Sequence, residues 1–205
     1  MKSIKTVALF LLLISLYSFS GKNKAPVSLI GNTVNDFSLR NIDNKNISLN
    51  DFKNAKGFII VFTCNHCPFA KLYLERLNML NEKYKSLHVP LIAINSTDSL
   101  VYEEETFAEM VKKVKEKGFS FPYLQDNTQA VAKNFGAEKT PHAFVIWKEN
   151  NQWKIKYKGA IDDNGAEPKK VTHAYVEEAV NALLHTKTVA VTETRSIGCT
   201  IKFRN

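Results

Sequence analysis

Gly57 to Thr63, GFIIVFT, is a continuous apolar run rich in β-branched and aromatic residues, and Val89 to Asn95, VPLIAIN, is a second. A strand with one wetted face alternates apolar and polar residues, whereas an uninterrupted run suits a strand covered on both faces. Between the two runs Phe69, Tyr73, Leu77, Leu80 and Tyr84 recur at helical spacing. Buried strand, amphipathic helix and buried strand make a βαβ unit, with a right-handed crossover in nearly all cases. The chain is therefore expected to build an α/β fold around a parallel pair.

The flanking sequence extends that unit. Phe37-Ser-Leu39 and Ile47-Ser-Leu49 alternate around Asp43-Asn-Lys45 as an antiparallel hairpin does. Glu103 to Lys117 carries Phe107, Met110, Val111 and Val114 at helical spacing. Asp126 is placed to cap a helix from Gln129 to Phe135 that Gly136 ends. Ala143 to Trp147 and Trp153 to Ala160, joined by the loop Glu149 to Gln152, are expected as a hairpin at the edge of the sheet. Val171 to Lys187 supplies a closing helix through Val176, Val180, Leu183 and Leu184. The chain of 205 residues shows no repeat, low-complexity tract or interdomain linker, so one domain with one core is expected.

The first twenty residues have the layout of a secretory signal: Lys2 and Lys5, an apolar run Val7 to Leu16 interrupted by Ser15, then Ser18 and Ser20 before Gly21. The run is well short of the roughly 20 residues that span a bilayer. Residues 1–20 are expected to be removed, leaving a domain over 21–205 that is exported to a periplasmic or other extracytoplasmic space, with no stable membrane insertion. Without Lys2 and Lys5 the formal charge falls from +8 to +6. The other lysines, such as Lys112, Lys113, Lys115 and Lys117, are interleaved with glutamate on an expected helix, which suits a solvated face. Arginines are few and no nucleic-acid motif accompanies the charge, so no nucleic-acid partner is expected.

The chemistry is expected where the first buried strand ends, in TCNHCPFAK, Thr63 to Lys71. An oxidising compartment favours pairing of Cys64 with Cys67. A helix start offers the positive end of the macrodipole and unpaired amides. With a protonated His66 alongside, such surroundings lower a cysteine pKa from about 8.5 into the range of roughly 3.5 to 7.5. Cys64, nearer the strand exit, is expected to be the more exposed and attacking thiol, with Cys67 one turn in as the resolver. Attack, mixed disulfide and intramolecular resolution are the steps of thiol-disulfide exchange and need no bound cofactor. A CxxC also serves in structural disulfides and zinc sites. Zinc usually takes two more ligands, and no second CxxC or close HxxxH exists, so no resident metal is expected. Cys199, in SIGCTIKF, is left as a buried thiol under a tail strand, a third redox thiol paired with Cys64 or Cys67, or an intermolecular link.

The order of hairpin, GFIIVFTCNHCP, VPLIAINST, FPYLQDNTQAVAKNFG and TPHAFVIW resembles a thioredoxin-fold protein of the redoxin branch, the AhpC/TSA and TlpA-like group. FTCNHCPFAK, YKGAIDDN and SIGCTIKF resemble its peroxiredoxin-like subgroup, and the likeness runs from about Val34 to Phe203. The resemblance implies a thioredoxin-like fold: a central mixed β-sheet flanked by helices, with an N-terminal β-hairpin and a helical insertion before a cis-proline, Pro141. It implies that the backbone at Thr140 and Pro141 pairs with an extended substrate, and that partners are protein thiols or disulfides, or a thioredoxin-like redox protein. His66 stands where related oxidoreductases carry the histidine of CPHC or CGHC, implying a couple more oxidising than thioredoxin. The loop Gly159 to Asn164 is expected near CNHC, where Asp162 or Asp163 could exchange protons with Cys67. Phe58 replaces the buried acid of thioredoxins, six residues before the first cysteine.

Two other activities stand beside exchange. A thiol peroxidase of the peroxiredoxin pattern PxxxTxxC would need a proline at Ile60 and a threonine at Cys64, and no arginine lies between Arg76 and Arg195. A copper chaperone resembling the Sco proteins would use Cys64, Cys67 and His142, although Sco-like sites are CxxxC.

Overall fold

The computed structural model describes residues 28–204, so the expected signal segment, residues 1–20, lies outside the described residues. The strands are β1 (Thr33–Val34), β2 (Ser38–Asn41), β3 (Asn46–Ser48), β4 (Gly57–Phe62), β5 (Leu91–Asn95), β6 (Tyr123–Gln125), β7 (Lys139–Thr140), β8 (His142–Glu149), β9 (Gln152–Gly159) and β10 (Cys199–Thr200). The helices are α1 (Pro68–Lys71), α2 (Leu74–Lys85), α3 (Phe107–Lys117), α4 (Ala130–Phe135) and α5 (Tyr175–Leu184). Eight strands form one mixed sheet in the order β1-β9-β8-β4-β5-β6-β2-β3, and β10 pairs with β7 in a separate two-stranded ladder.

The βαβ unit forms as expected, with β4 parallel to β5 in the register Ile59↔Leu91 to Phe62↔Ile94. Every residue of β4 is buried. Ile59 and Val61 pack toward Leu77, Leu80 and Tyr84 of α2 and Val176 and Val180 of α5. Phe58, Ile60 and Phe62 face the opposite cluster with Leu49, Val131, Phe135 and Trp153. Both faces are covered, which is why the run is apolar without alternation; each such side chain contributes about 1.5–3 kcal/mol on burial.

The N-terminal hairpin places Leu39 opposite Ile47. The β8–β9 hairpin closes through Asn150 and Asn151, both at positive φ, as a two-residue turn between twisted strands demands. It is not the edge of the sheet: β1 lies outside it, pairing Thr33 with Lys154. Asp126 accepts the Ala132 amide of α4 at 3.0 Å, and Gly136 at φ 62° ends that helix.

The helix expected from Phe69 to Tyr84 is broken. The Tyr73 amide bonds to Ala70 O at 3.2 Å, a tighter turn than the α-helix allows, so α1 stops at Lys71 and α2 starts at Leu74. Phe69 consequently leaves the core and is 45 % exposed. The helix expected over Glu103–Lys117 also divides, because Thr106 caps α3 and leaves Glu103–Glu105 as a separate 3₁₀ turn. That division positions the site.

Candidate active site

Strand β4 ends at Phe62 and Pro68 opens α1, so the CNHC loop spans the step between them. Cys67 is the N-cap residue of α1. The loop folds around one carboxylate. Glu105, buried, accepts the Asn65 amide with both oxygens at 2.9 Å, the His66 amide at 2.8 Å and the His66 ring Nδ1 at 2.6 Å, while Asn95 Nδ2 donates to it at 2.6 Å. Asn65 Nδ2 donates to Glu104 O at 2.7 Å and Tyr123 OH to Asn65 Oδ1 at 3.0 Å. The ring of Tyr102 stacks on His66 at 4.0 Å, with 9° between planes. Lys113 Nζ reaches under the loop to Cys64 O at 3.1 Å and Asn65 O at 3.3 Å.

Both active-site sulfurs are at 0 % exposure, and Cys64, Cys67 and Cys199 are all free thiols. Cys64 therefore does not meet the expectation that it be the more exposed. Cys64 Sγ lies 3.0 Å from Thr140 Oγ1, and Cys67 Sγ lies 3.1 Å from Thr140 O. The two thiols stand close enough for each to shift the ionisation of the other. Interaction with the Cys64 thiol is the first cause drawing the Cys67 pKa below the usual thiol range; burial opposes it, and the Cys199 thiol and the Ala70 and Cys199 backbone add to it. The same interaction with Cys67 raises Cys64, as do its own burial and the nearby Glu105 carboxylate. The Cys67 Sγ contact with the Thr140 carbonyl is one that a neutral thiol donates, and it opposes that lowering. The helix start, expected to act on Cys64, acts on Cys67 instead, because the loop uses all of Asn65 and His66 before the first helical residue.

The other expected residues divide. Thr140 and Pro141, joined by a cis peptide, stand beside the sulfurs. His66 is in the loop, with its Nδ1 committed to Glu105 at 2.6 Å. Asp162 is buried, accepting Tyr73 OH at 2.9 Å and Arg76 NH1 at 2.5 Å. Asp163 accepts the Thr172 amide at 3.0 Å and the Thr172 hydroxyl. Both aspartates fasten the loop after β9: the Arg76 guanidinium, Tyr73 hydroxyl and loop amides take up their oxygens, and neither makes a direct hydrogen bond to Cys67 for the expected proton exchange. Arg76 also donates to Asn164 O at 2.9 Å and to Gly165 O, so it is spent on the same loop. Phe58 fills the position of the thioredoxin acid and packs on Trp153 at 4.9 Å.

His142 faces away from the cysteines. Its Nδ1 accepts the Glu138 amide at 3.4 Å, and burial, with Lys158 nearby, lowers its pKa to about 4. Among the described residues, the side chains that gather three ligand atoms within 4.8 Å are Cys64, His66 and Glu105, without His142. Glu105 already accepts four groups there, so the cluster has the character of a clamp. Sequence reasoning missed Glu105 and Lys113, placing both on a helix face; only the Thr106 cap signals that Glu105 lies outside the helix.

Beside Pro141 a groove of about 120 Å³ is lined by Phe69, Leu72, Tyr73, Ile161 and Ile197. Phe69 and Leu72 owe their exposure to the break between α1 and α2.

The model of the AhpC/TSA family matches residues 30–157, more than half of the chain. The chain is 28 % identical over 120 residues to the thiol-disulfide oxidoreductase ResA of Bacillus thuringiensis subsp. konkukian, covering 58 % of this chain and 65 % of that protein. The alignment thus spans just under two thirds of that relative's length. Among solved structures, a hypothetical protein of Sinorhizobium meliloti 1021 is 35 % identical with a TM-score of 0.78, over 85 % of this chain and 94 % of that one. A thiol:disulfide interchange protein of Chlorobium tepidum TLS, of the thioredoxin family, shares 16 % identity with a TM-score of 0.57, over 75 % of this chain and 97 % of that one. At that identity the likeness is one of fold, and the fold is thioredoxin-like.

Proposed function

The chain belongs to the AhpC/TSA family, and we propose that it is an exported thiol-disulfide oxidoreductase working through Cys64 and Cys67. The observation that carries this reading is the pair of free thiols beside Thr140, Cys64 Sγ 3.0 Å from its Oγ1 and Cys67 Sγ 3.1 Å from its carbonyl oxygen, with Cys67 at the start of a helix. The ResA relatives support the activity, and the signal-like residues 1–20 support export.

In this reading Cys67 is the attacking sulfur. Its thiolate attacks a client disulfide, forming a mixed disulfide and releasing one client thiolate. Cys64, whose thiol lies within hydrogen-bonding reach, gives up its proton and attacks Cys67; the Cys64–Cys67 bond forms and the second client thiolate leaves. Run backwards, the same steps oxidise a client dithiol. The Glu105 clamp fixes the loop and thereby the separation of the two sulfurs. His66 acts through Glu105 as a positioning group, and the groove beside Pro141 accepts apolar side chains of an extended client.

The peroxidase reading lacks an arginine for the peroxide, since Arg76 is engaged by Asp162. The copper reading lacks His142.

Trapping tests the assignment of roles. With a disulfide-bearing client, and with Cys199→Ser in both variants so that no third thiol resolves the trap, Cys64→Ser should accumulate a mixed disulfide on Cys67, and Cys67→Ser should accumulate far less. Accumulation only in Cys67→Ser would invert the roles, and none in either would end the exchange reading.

A further inference from the structure

In a thioredoxin-like domain the strand edge beside the redox pair is where an extended client docks. Here the chain's own C-terminal segment fills it. Strand β10 runs antiparallel to β7 with Cys199 opposite Thr140, and the ladder continues through the Ile201 amide to Glu138 O at 2.9 Å. Gly198 lies flat on the Thr140 carbonyl: a Cβ there would sit 2.0 Å from Thr140 O and 2.6 Å from its carbon. Only glycine lets the segment come this close. Cys199 packs against the cluster of Cys64, Cys67 and Ala70, which brings a third thiol to the redox pair.

The segment is held on either side of the site. Upstream, the Lys158 amide donates to Thr192 O and the Thr194 amide to Lys158 O, each at 3.0 Å. Downstream, Ile201 is in the core, Gln129 Nε2 donates to Lys202 O at 2.6 Å, and Arg204 pairs with Asp98 at 2.6 Å. Between these anchors Ile197 is 65 % exposed and lines the client groove. The segment thus covers the strand edge and sets a thiol against the redox pair at once.

We propose that residues 197–200 are an intramolecular substrate occupying the client edge, and that Cys199 exchanges into the Cys64–Cys67 disulfide to form a Cys67–Cys199 bridge that latches the edge shut. The proposal rests on the exchange reading above. Cys199 gives up its proton and its sulfur attacks Cys67; the Cys67–Cys199 bond forms as the Cys64–Cys67 bond breaks. The electron pair leaves on Cys64, which takes a proton. The two bridged forms are isomers at one oxidation level, so no outside oxidant enters the step. A client must lift β10 to reach Cys67, and the latched form refuses it.

The test uses the chain without residues 1–20, with Cys199→Ser and Gly198→Ala, equilibrated in glutathione buffers, acid-quenched, alkylated and peptide-mapped. The wild type should contain both Cys64–Cys67 and Cys67–Cys199 bridges, in a ratio that does not change with glutathione poise. Cys199→Ser should contain only Cys64–Cys67. In reduced Gly198→Ala, Cys67 should react with a bulky maleimide about tenfold faster or more, because a covered group reacts through local opening of its cover. Cys64–Cys67 as the sole bridge in the wild type, or maleimide rates equal in Gly198→Ala and wild type, would overturn the proposal. Absence of a reversible Cys64–Cys67 bridge even in Cys199→Ser would instead refute the exchange reading beneath it.

Discussion

Glu105 binds the CNHC loop more firmly than any residue within it. Replacing it by Gln keeps the shape but turns an amide toward the donors of Asn65, His66 and Asn95, and buried groups left unpaired cost about 1–3 kcal/mol each. Glu105→Gln should lower the unfolding free energy of the reduced protein by about 2–4 kcal/mol in urea titration, since some donors find water. Loss of the carboxylate also removes one cause of the raised Cys64 pKa, so thiolate absorbance should grow at lower pH. Unchanged stability would deny the clamp. His142 gives a second test. Its folded pKa, about 4, lies below the unfolded value near 6.5, so the unfolded chain binds the extra proton between them. Stability is full above pH 6.5 and falls toward pH 4, by on the order of 3 kcal/mol. His142→Asn should flatten that part of the pH–stability curve; an unaltered slope would contradict the assignment. CNHC announced itself in the sequence, whereas Glu105 did not, because an acid among Glu103–Thr106 is indistinguishable from a solvated one until the turn buries it.

At the scale of elements, the sequence shows what packs and hides what bends. The double-faced run of β4 and the Asn150–Asn151 turn are legible because burial and positive φ each select residue types. The α1–α2 break is not: Phe69, Tyr73 and Leu77 keep helical spacing across it, and Tyr73 turns to Asp162 through a contact with a loop some 90 residues away. The same loop hangs on Arg76. Arg76→Met should destabilise the protein by about 3 kcal/mol in thermal or urea unfolding, because it leaves Asp162 buried without its cation. Adding Asp162→Asn should return part of that loss. A double variant no better than the single one would mean that the pair is not what holds the loop to α2.

Over the whole molecule, the sheet brings three distant stretches to one end: the loop after β4, the turn before β8 and the C-terminal β10. The first two were legible, from CNHC and Thr140-Pro141. Pairing of the third was not, since a two-residue strand carries no periodicity and its register depends on a backbone contact at Gly198. Exchange chemistry requires that Cys64 and Cys67 form one reversible couple, and redox titration with differential alkylation and mass spectrometry of intact and digested protein measures this most directly. Cys199→Ser, which has no competing bridge, should pass from two alkylated thiols at Cys64 and Cys67 to a Cys64–Cys67 disulfide and back along a single two-electron curve. Two thiols at every poise, or a bridge that no dithiol reductant opens in the folded protein, would contradict it.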